Sequence, residues 1–302
     1  MMLDAFLGTL GDTIAATTQF LLLLVLLVVG WFAYDRLTPY DFNEELVSRD
    51  NPAVGIALGG FLLASATALA GTVYGLGTTI SIPTMSMLLL SGIEVLALLM
   101  LSHFVVDRLI LRRFDVNELL VERRSLGTGF VLAGALVGTG LVLNGALSGE
   151  SDSVLMGLRD IAVYWLVGQT LFVFMGFVFQ WVTPYDVHVE IHERDNVAVG
   201  ISFGGFLVAS GFLVRAALLN ASSRLTEELS SVLAVLLVGI PLLIASRAIA
   251  DRVFMPSSPM SSEVGEQRNT AAASIAAASA VAVALFLLYV VTQCALVQTG
   301  NG

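Results

Sequence analysis

Glu94 stands inside an apolar run from Ile82 to Val106, where a carboxylate needs either a task or a partner. A carboxylate at the centre of a bilayer costs roughly 2.5–3.5 kcal/mol on translocon scales, so it is by default a candidate for handling ions or protons. Asn144, Gln169 and Tyr164, in neighbouring apolar runs, are the polar side chains that could share its site. The plainer reading is a neutral, hydrogen-bonded structural carboxyl. A second group, His188, Glu190 and His192, alternates along the chain, with His103 near the end of its own apolar run. These side-chain types can ligate zinc. Asn43, Glu45 and Val47 stand in the corresponding places 145 residues earlier, which favours a loop at the membrane surface and no metal. The chain has no phosphate loop and no nucleophile elbow, so neither an enzyme nor a cofactor is expected.

The elements that carry these residues are apolar to an unusual degree. Of 302 residues, 57% are hydrophobic and 13% charged, against about 25% charged in a soluble domain. Eight segments reach the roughly 20 apolar residues that cross hydrocarbon, near 14–34, 52–74, 82–106, 126–147, 158–182, 197–219, 229–250 and 270–297. The pattern predicts an all-α integral membrane protein whose partner is the lipid bilayer. The first 13 residues hold Asp4 and Asp12 and no basic residue, so segment 1 is expected to be retained and not removed as a signal peptide. The single Cys294 allows no internal disulfide. Net charge is −10 and basic clusters are absent, which excludes nucleic acid as a partner.

A repeat sets the organisation. Thr38–Ser65 and Thr183–Ser210 align without a gap, identical at 18 of 28 positions. Weaker copies follow Asp107-Arg108 and Asp251-Arg252. The unit is a helix, a loop and a second helix. Four units make two four-helix domains, 1–150 (units 1 and 2) and 151–302 (units 3 and 4). Each unit crosses twice, so successive units keep one orientation and are parallel repeats about an axis along the membrane normal.

Within the unit, Asn51, Ser125, Asn196 and Asn269 occupy one register just before the second helix, as N-caps. The preceding residues are Asp50, Arg124, Asp195 and Arg268. In a ring-like arrangement these would alternate in charge and could pair between units, ordering them. Segments 2, 4, 6 and 8 are rich in Gly and Ala, whereas the odd segments are rich in Leu and Phe. Small residues let membrane helices approach closely. Gly55/Gly59, Gly134/Gly138 and Gly200/Gly204 are therefore read as packing faces of an inner set of helices, or else as contacts between subunits.

Eleven arginines fall on the side of the intra-unit loops, Arg112 and Arg113 among them, and three (Arg159, Arg215, Arg224) on the other. That bias puts the loops in the cytoplasm and both termini outside. A reporter fused to the C-terminus is expected to read as external, and a cytoplasmic signal would overturn the assignment.

The Asp50-Asn51, Ala53-Val54-Gly55-Ile56, Gly59-Gly60-Phe61 pattern and its twin from Asp195 resemble the YjfL-like family of prokaryotic inner-membrane proteins, domain of unknown function number 350. The chain looks like two such domains in tandem. The resemblance implies a cytoplasmic-membrane location and brings no activity or catalytic residues. Units 2 and 4 depart from the pattern, with Arg in place of the acidic residue. The repeats about a membrane-normal axis and Glu94 favour a channel or transporter for a small ion or solute; the alternative, which the scarcity of polar residues within the helices supports, is a non-transporting scaffold or envelope-integrity component. Association with a second copy or with other membrane proteins is compatible with either.

Overall fold

The computed structural model describes residues 2–74, 80–111, 115–149, 153–218 and 225–299. Arg112, Arg113, Arg224 and the expected domain boundary at 150/151 lie outside those residues. Among the described residues eight long helices form: α1 (Met2–Leu37), α2 (Pro52–Tyr74), α3 (Ile82–Val105), α4 (Leu126–Ala146), α5 (Val154–Val182), α6 (Val197–Leu218), α7 (Leu225–Ile249) and α8 (Thr270–Thr299). Each contains a stretch long and apolar enough to span a membrane. No strand occurs among the described residues.

The turns between the two helices of each unit share an anchoring side chain and a short closing helix. Proline cannot continue a helix, and α1 and α5 stop two residues before Pro39 and Pro184. A side chain near the end of the first helix then anchors the start of the loop. Asp35 accepts from the Phe42 amide at 2.8 Å, Asp107 from Val116 at 2.9 Å, Gln180 from Val187 at 2.8 Å, and Asp251 from Met260. The loop closes as one short helical segment: Glu44–Ser48, Val116–Val121, Val187–His192 or Met260–Gly265.

The even helices form an open row in chain order, α2 on α4, α4 on α6, α6 on α8. The expected inner set is thus a line and not a ring, and α2 and α8 stand at its two ends. Burial follows position: α4 and α6, with a row neighbour on each side, are mostly buried, and α8 at the end of the row is far less so. The odd helices lie against this row, α3 touching α2 and α4, α5 touching α4 and α6, and α7 touching α6 and α8.

Lipid tails offer no hydrophobic drive for helices to associate, so the row depends on close packing. A methyl added at Gly60 would collide with the Ala133 backbone, one at Gly134 with the Gly204 backbone, and one at Gly205 with Ala277. These are equivalent positions at three successive junctions. A second level repeats the pattern: an added Cβ on Gly140 would lie 2.6 Å from the Ala64 carbonyl oxygen, and one on Gly211 2.6 Å from Gly138 Cα. The α4–α6 seam between the two halves of the chain is as tight as the junctions inside each half. Gly134, Gly138, Gly200 and Gly204 all face that seam. Gly55 and Gly59 do not face a neighbouring helix. Gly59 has open space where a Cβ would be, and Gly55 meets only the tip of Leu46. Among the described residues no helix packs onto that face.

Candidate functional site

The most ordered polar constellation lies where each loop meets its second helix. Glu45, Glu190 and Glu263 occupy one register, and the first two are only 2% and 3% exposed. Each carboxylate is held at both oxygens. Glu45 accepts from Arg49 at 2.9 Å and from Asn51 at 2.8 Å. Glu190 accepts from Arg194 at 2.6 Å and from Asn196 at 2.9 Å. Glu263 accepts from Gln267 at 3.0 Å and from Asn269 at 2.9 Å. Hydrogen bonds from Ser258, Asn269 and Gln267 hold the Glu263 carboxyl below its ordinary range. Unit 2 has buried Leu119 and a serine, Ser125, in place of the pair.

The asparagine does two further jobs. Its Oδ1 caps the second helix, accepting from Ala53 at 3.1 Å in unit 1 and from Ala271 at 3.0 Å in unit 4. Asn196 Oδ1 takes the Val199 amide at 3.4 Å, and Ser125 Oγ takes the Thr128 amide at 3.3 Å. Its Nδ2 also reaches the next unit. Asn51 donates to the Leu120 carbonyl at 2.9 Å, and Asn196 to the Val264 carbonyl at 3.0 Å. At the junction of units 2 and 3, where Ser125 is too short, Arg123 donates to the His192 carbonyl at 3.4 Å instead. In units 1 and 3 the glutamate thus orients an asparagine that both starts a helix and ties its unit to the next. The sequence does signal this site: Glu-x-x-x-Arg-x-Asn occurs at Glu45 and Glu190, with Gln267 replacing Arg in unit 4. Reading the caps alone passes over the carboxylates.

The residues just before the caps are not brought into pairs. Asp50, Arg124, Asp195 and Arg268 are all exposed, and no ion pair among the described residues joins them. They share a backbone feature instead. They are the non-glycine residues with positive φ among those described, between 47° and 55°. Left-handed geometry turns the chain back so that the cap amide reaches the carbonyl six residues earlier, at 2.8–2.9 Å in all four units. A backbone requirement, tolerated by Asp and accepted by Arg, sets this position, and the alternating charge has no partner to act on.

The expected intramembrane site is also dispersed. Asn144 donates to the Thr67 carbonyl at 2.7 Å and accepts from Arg215 Nε at 2.7 Å. This string links α2, α4 and α6, and Arg215 belongs to the last turn of α6, where a cation suits the helix dipole. Gln169 donates to Thr139 at 2.9 Å, linking α5 to α4. Glu94 joins neither. It is partly buried on α3, and its Oε2 is buried with no hydrogen-bond partner. The histidines diverge as well. His103 bonds to Tyr34 at 2.7 Å and His188 approaches the Ile110 carbonyl at 3.2 Å, while Glu190 is engaged with Arg194 and Asn196. Among the described residues no group of three such side chains could hold a metal.

Fold and site together define a multi-pass α-helical membrane protein built from four copies of a two-helix unit, joined in a row by small-residue contacts and by bridges from Asn51, Arg123 and Asn196. The family model described as Domain of Unknown Function (DUF350) matches residues 5–147 and again 153–291, and the chain belongs to that family as a tandem pair. No curated protein and no solved structure matches the chain.

Proposed function

We propose that this protein is a non-transporting membrane scaffold, neither an enzyme nor a channel. The observation that carries the proposal is the backbone approach along the row, where added methyl groups at Gly60, Gly134 and Gly205 would strike the next helix. Helices packed so closely leave no room for water between them, and interdigitated interiors of this kind resist reshaping. The intramembrane polar groups support the same reading. Asn144, Arg215 and Gln169 are engaged in tying helices together, which is structural work. The arginine bias supports a cytoplasmic-membrane orientation with the intra-unit loops inside and both termini outside.

One observation supports the alternative of small-ion transport, the buried and unpartnered Oε2 of Glu94. A proteoliposome flux assay separates the two. Wild-type protein is expected to pass no protons, common cations or common anions above the protein-free background. A flux that disappears in Glu94→Gln would replace the scaffold reading with a carboxylate-gated path.

A further inference from the structure

The row of even helices has unfinished ends that match each other. At each internal junction the forward face of one helix meets the rear face of the next: Gly60 with Ala133, Gly134 with Gly204, Gly205 with Ala277. The forward position of unit 4 is Ala278 and the rear position of unit 1 is Gly59. Ala278 is exposed, and Gly59 has nothing within 4 Å of where its Cβ would be. The neighbouring levels agree. Gly55 is the rear equivalent of Gly129 and Gly200, and Ala271 is the forward equivalent of Ala53 and Gly127. A lipid-facing helix has no need of such small side chains, since leucine solvates as well in hydrocarbon. Terminal repeats in a stacked array are ordinarily altered to cap it; these two are not.

The polar contacts stop at the same place. Asn51 and Asn196 each bond both their own glutamate and a carbonyl of the next unit. Among the described contacts Asn269 Nδ2 makes only the first, to Glu263. The carbonyl in the position of Leu120 and Val264 is that of Leu46, on the rear side of unit 1.

We propose that a second copy of this chain docks head to tail, its α2 rear face on the α8 forward face of the first, continuing the internal junction across the molecular boundary. All units share one orientation in the membrane, so the second copy enters the same bilayer the same way up. The contact is heterologous, and such contacts close into rings or extend as filaments. The proposal rests on the repeat geometry and stands whether or not the protein transports an ion.

Cysteine cross-linking in membranes tests it, in a Cys294→Ser background. Gly59→Cys and Ala278→Cys chains carrying different tags are expected to form a disulfide-linked heterodimer when co-expressed and oxidised, with no dimer from either alone. The chain carrying both substitutions is expected to give a ladder or closed ring of covalent multimers. Dimers from Gly59→Cys alone would mean two α2 faces meet back to back and would overturn the head-to-tail arrangement. Absence of any cross-link, with a monomeric mass for the wild-type protein in nanodiscs, would overturn association itself. Gly59→Leu gives a second readout. It fits the folded chain, so loss of the multimer with unchanged thermal unfolding is expected; a multimer that survives counts against this interface.

Discussion

Gly134→Leu is expected to prevent the bundle from assembling, while the same change at Gly59 leaves the single chain folded. At Gly134 even the first added carbon would collide with the Gly204 backbone, which is the middle of the seam joining the two halves. Overpacking a well-filled interior costs about 1–3 kcal/mol when side chains can give way. Here the obstacle is main chain on a helix buried on both sides, so α4 and α6 must separate and the loss exceeds that range. A whole domain is stable by only about 5–15 kcal/mol. At Gly59 the space is open, and replacing a helical glycine by leucine recovers about 0.5–1 kcal/mol of helix propensity. Thermal unfolding of both variants in one detergent checks the contrast. Equal destabilisation would show that the row is not held by its backbone contacts.

Asn196→Ala carries the second large effect. The substitution removes a helix cap worth about 1 kcal/mol. It also strips one partner from a carboxylate that is 3% exposed, at about 1–3 kcal/mol for a buried group left unsatisfied. The bridge to the Val264 carbonyl is lost with it. A drop of about 3 kcal/mol follows, subject to the non-additivity of groups in one network. The chain itself contains the rescue. Unit 2 does without this pair by carrying Leu119 and Ser125, so Glu190→Leu combined with Asn196→Ser is expected to recover most of the loss. Serine restores the cap, leucine removes the stranded charge, and Arg194 is exposed enough to be solvated. Denaturant unfolding of the single and double variants gives the measurement. A double variant as unstable as Asn196→Ala would mean that the carboxylate does more than hold the asparagine.

Much of this architecture could be read from the chain because membrane insertion is governed by local composition. Long apolar runs give the eight spans, and the 145-residue echo between Thr38 and Thr183 gives the units. Small residues in alternate segments point to the helices that pack most closely. Where sequence and structure part, side-chain identity gives way to backbone geometry or to distant neighbours. Asp50, Arg124, Asp195 and Arg268 suggested charge pairing, yet what they share is a left-handed turn. Glu94, Asn144 and Gln169 suggested one polar site, but Asn144 and Gln169 bond to helices that leave Glu94 aside. Gly55 and Gly59 read as an internal packing face or as a contact between subunits; their copies at Gly129, Gly200 and Gly204 pack within the chain, and they themselves meet no neighbouring helix among the described residues.

The sequence by itself therefore determined the number of crossings, the repeating unit, the caps that start the second helices and the glycines available for close contact. These depend on hydropathy, periodicity and hydrogen bonding within a few residues. Only the tertiary structure decided that the units form an open row, that buried Glu45 and Glu190 orient the bridging Asn51 and Asn196, and that two small-residue faces have no neighbour among the described residues. Those features depend on which surfaces meet, and identical repeats offer identical surfaces whether the array closes or stays open. The difference appears only at the ends of the row, where Gly59 and Ala278 have the chemistry of a junction and no partner among the described residues.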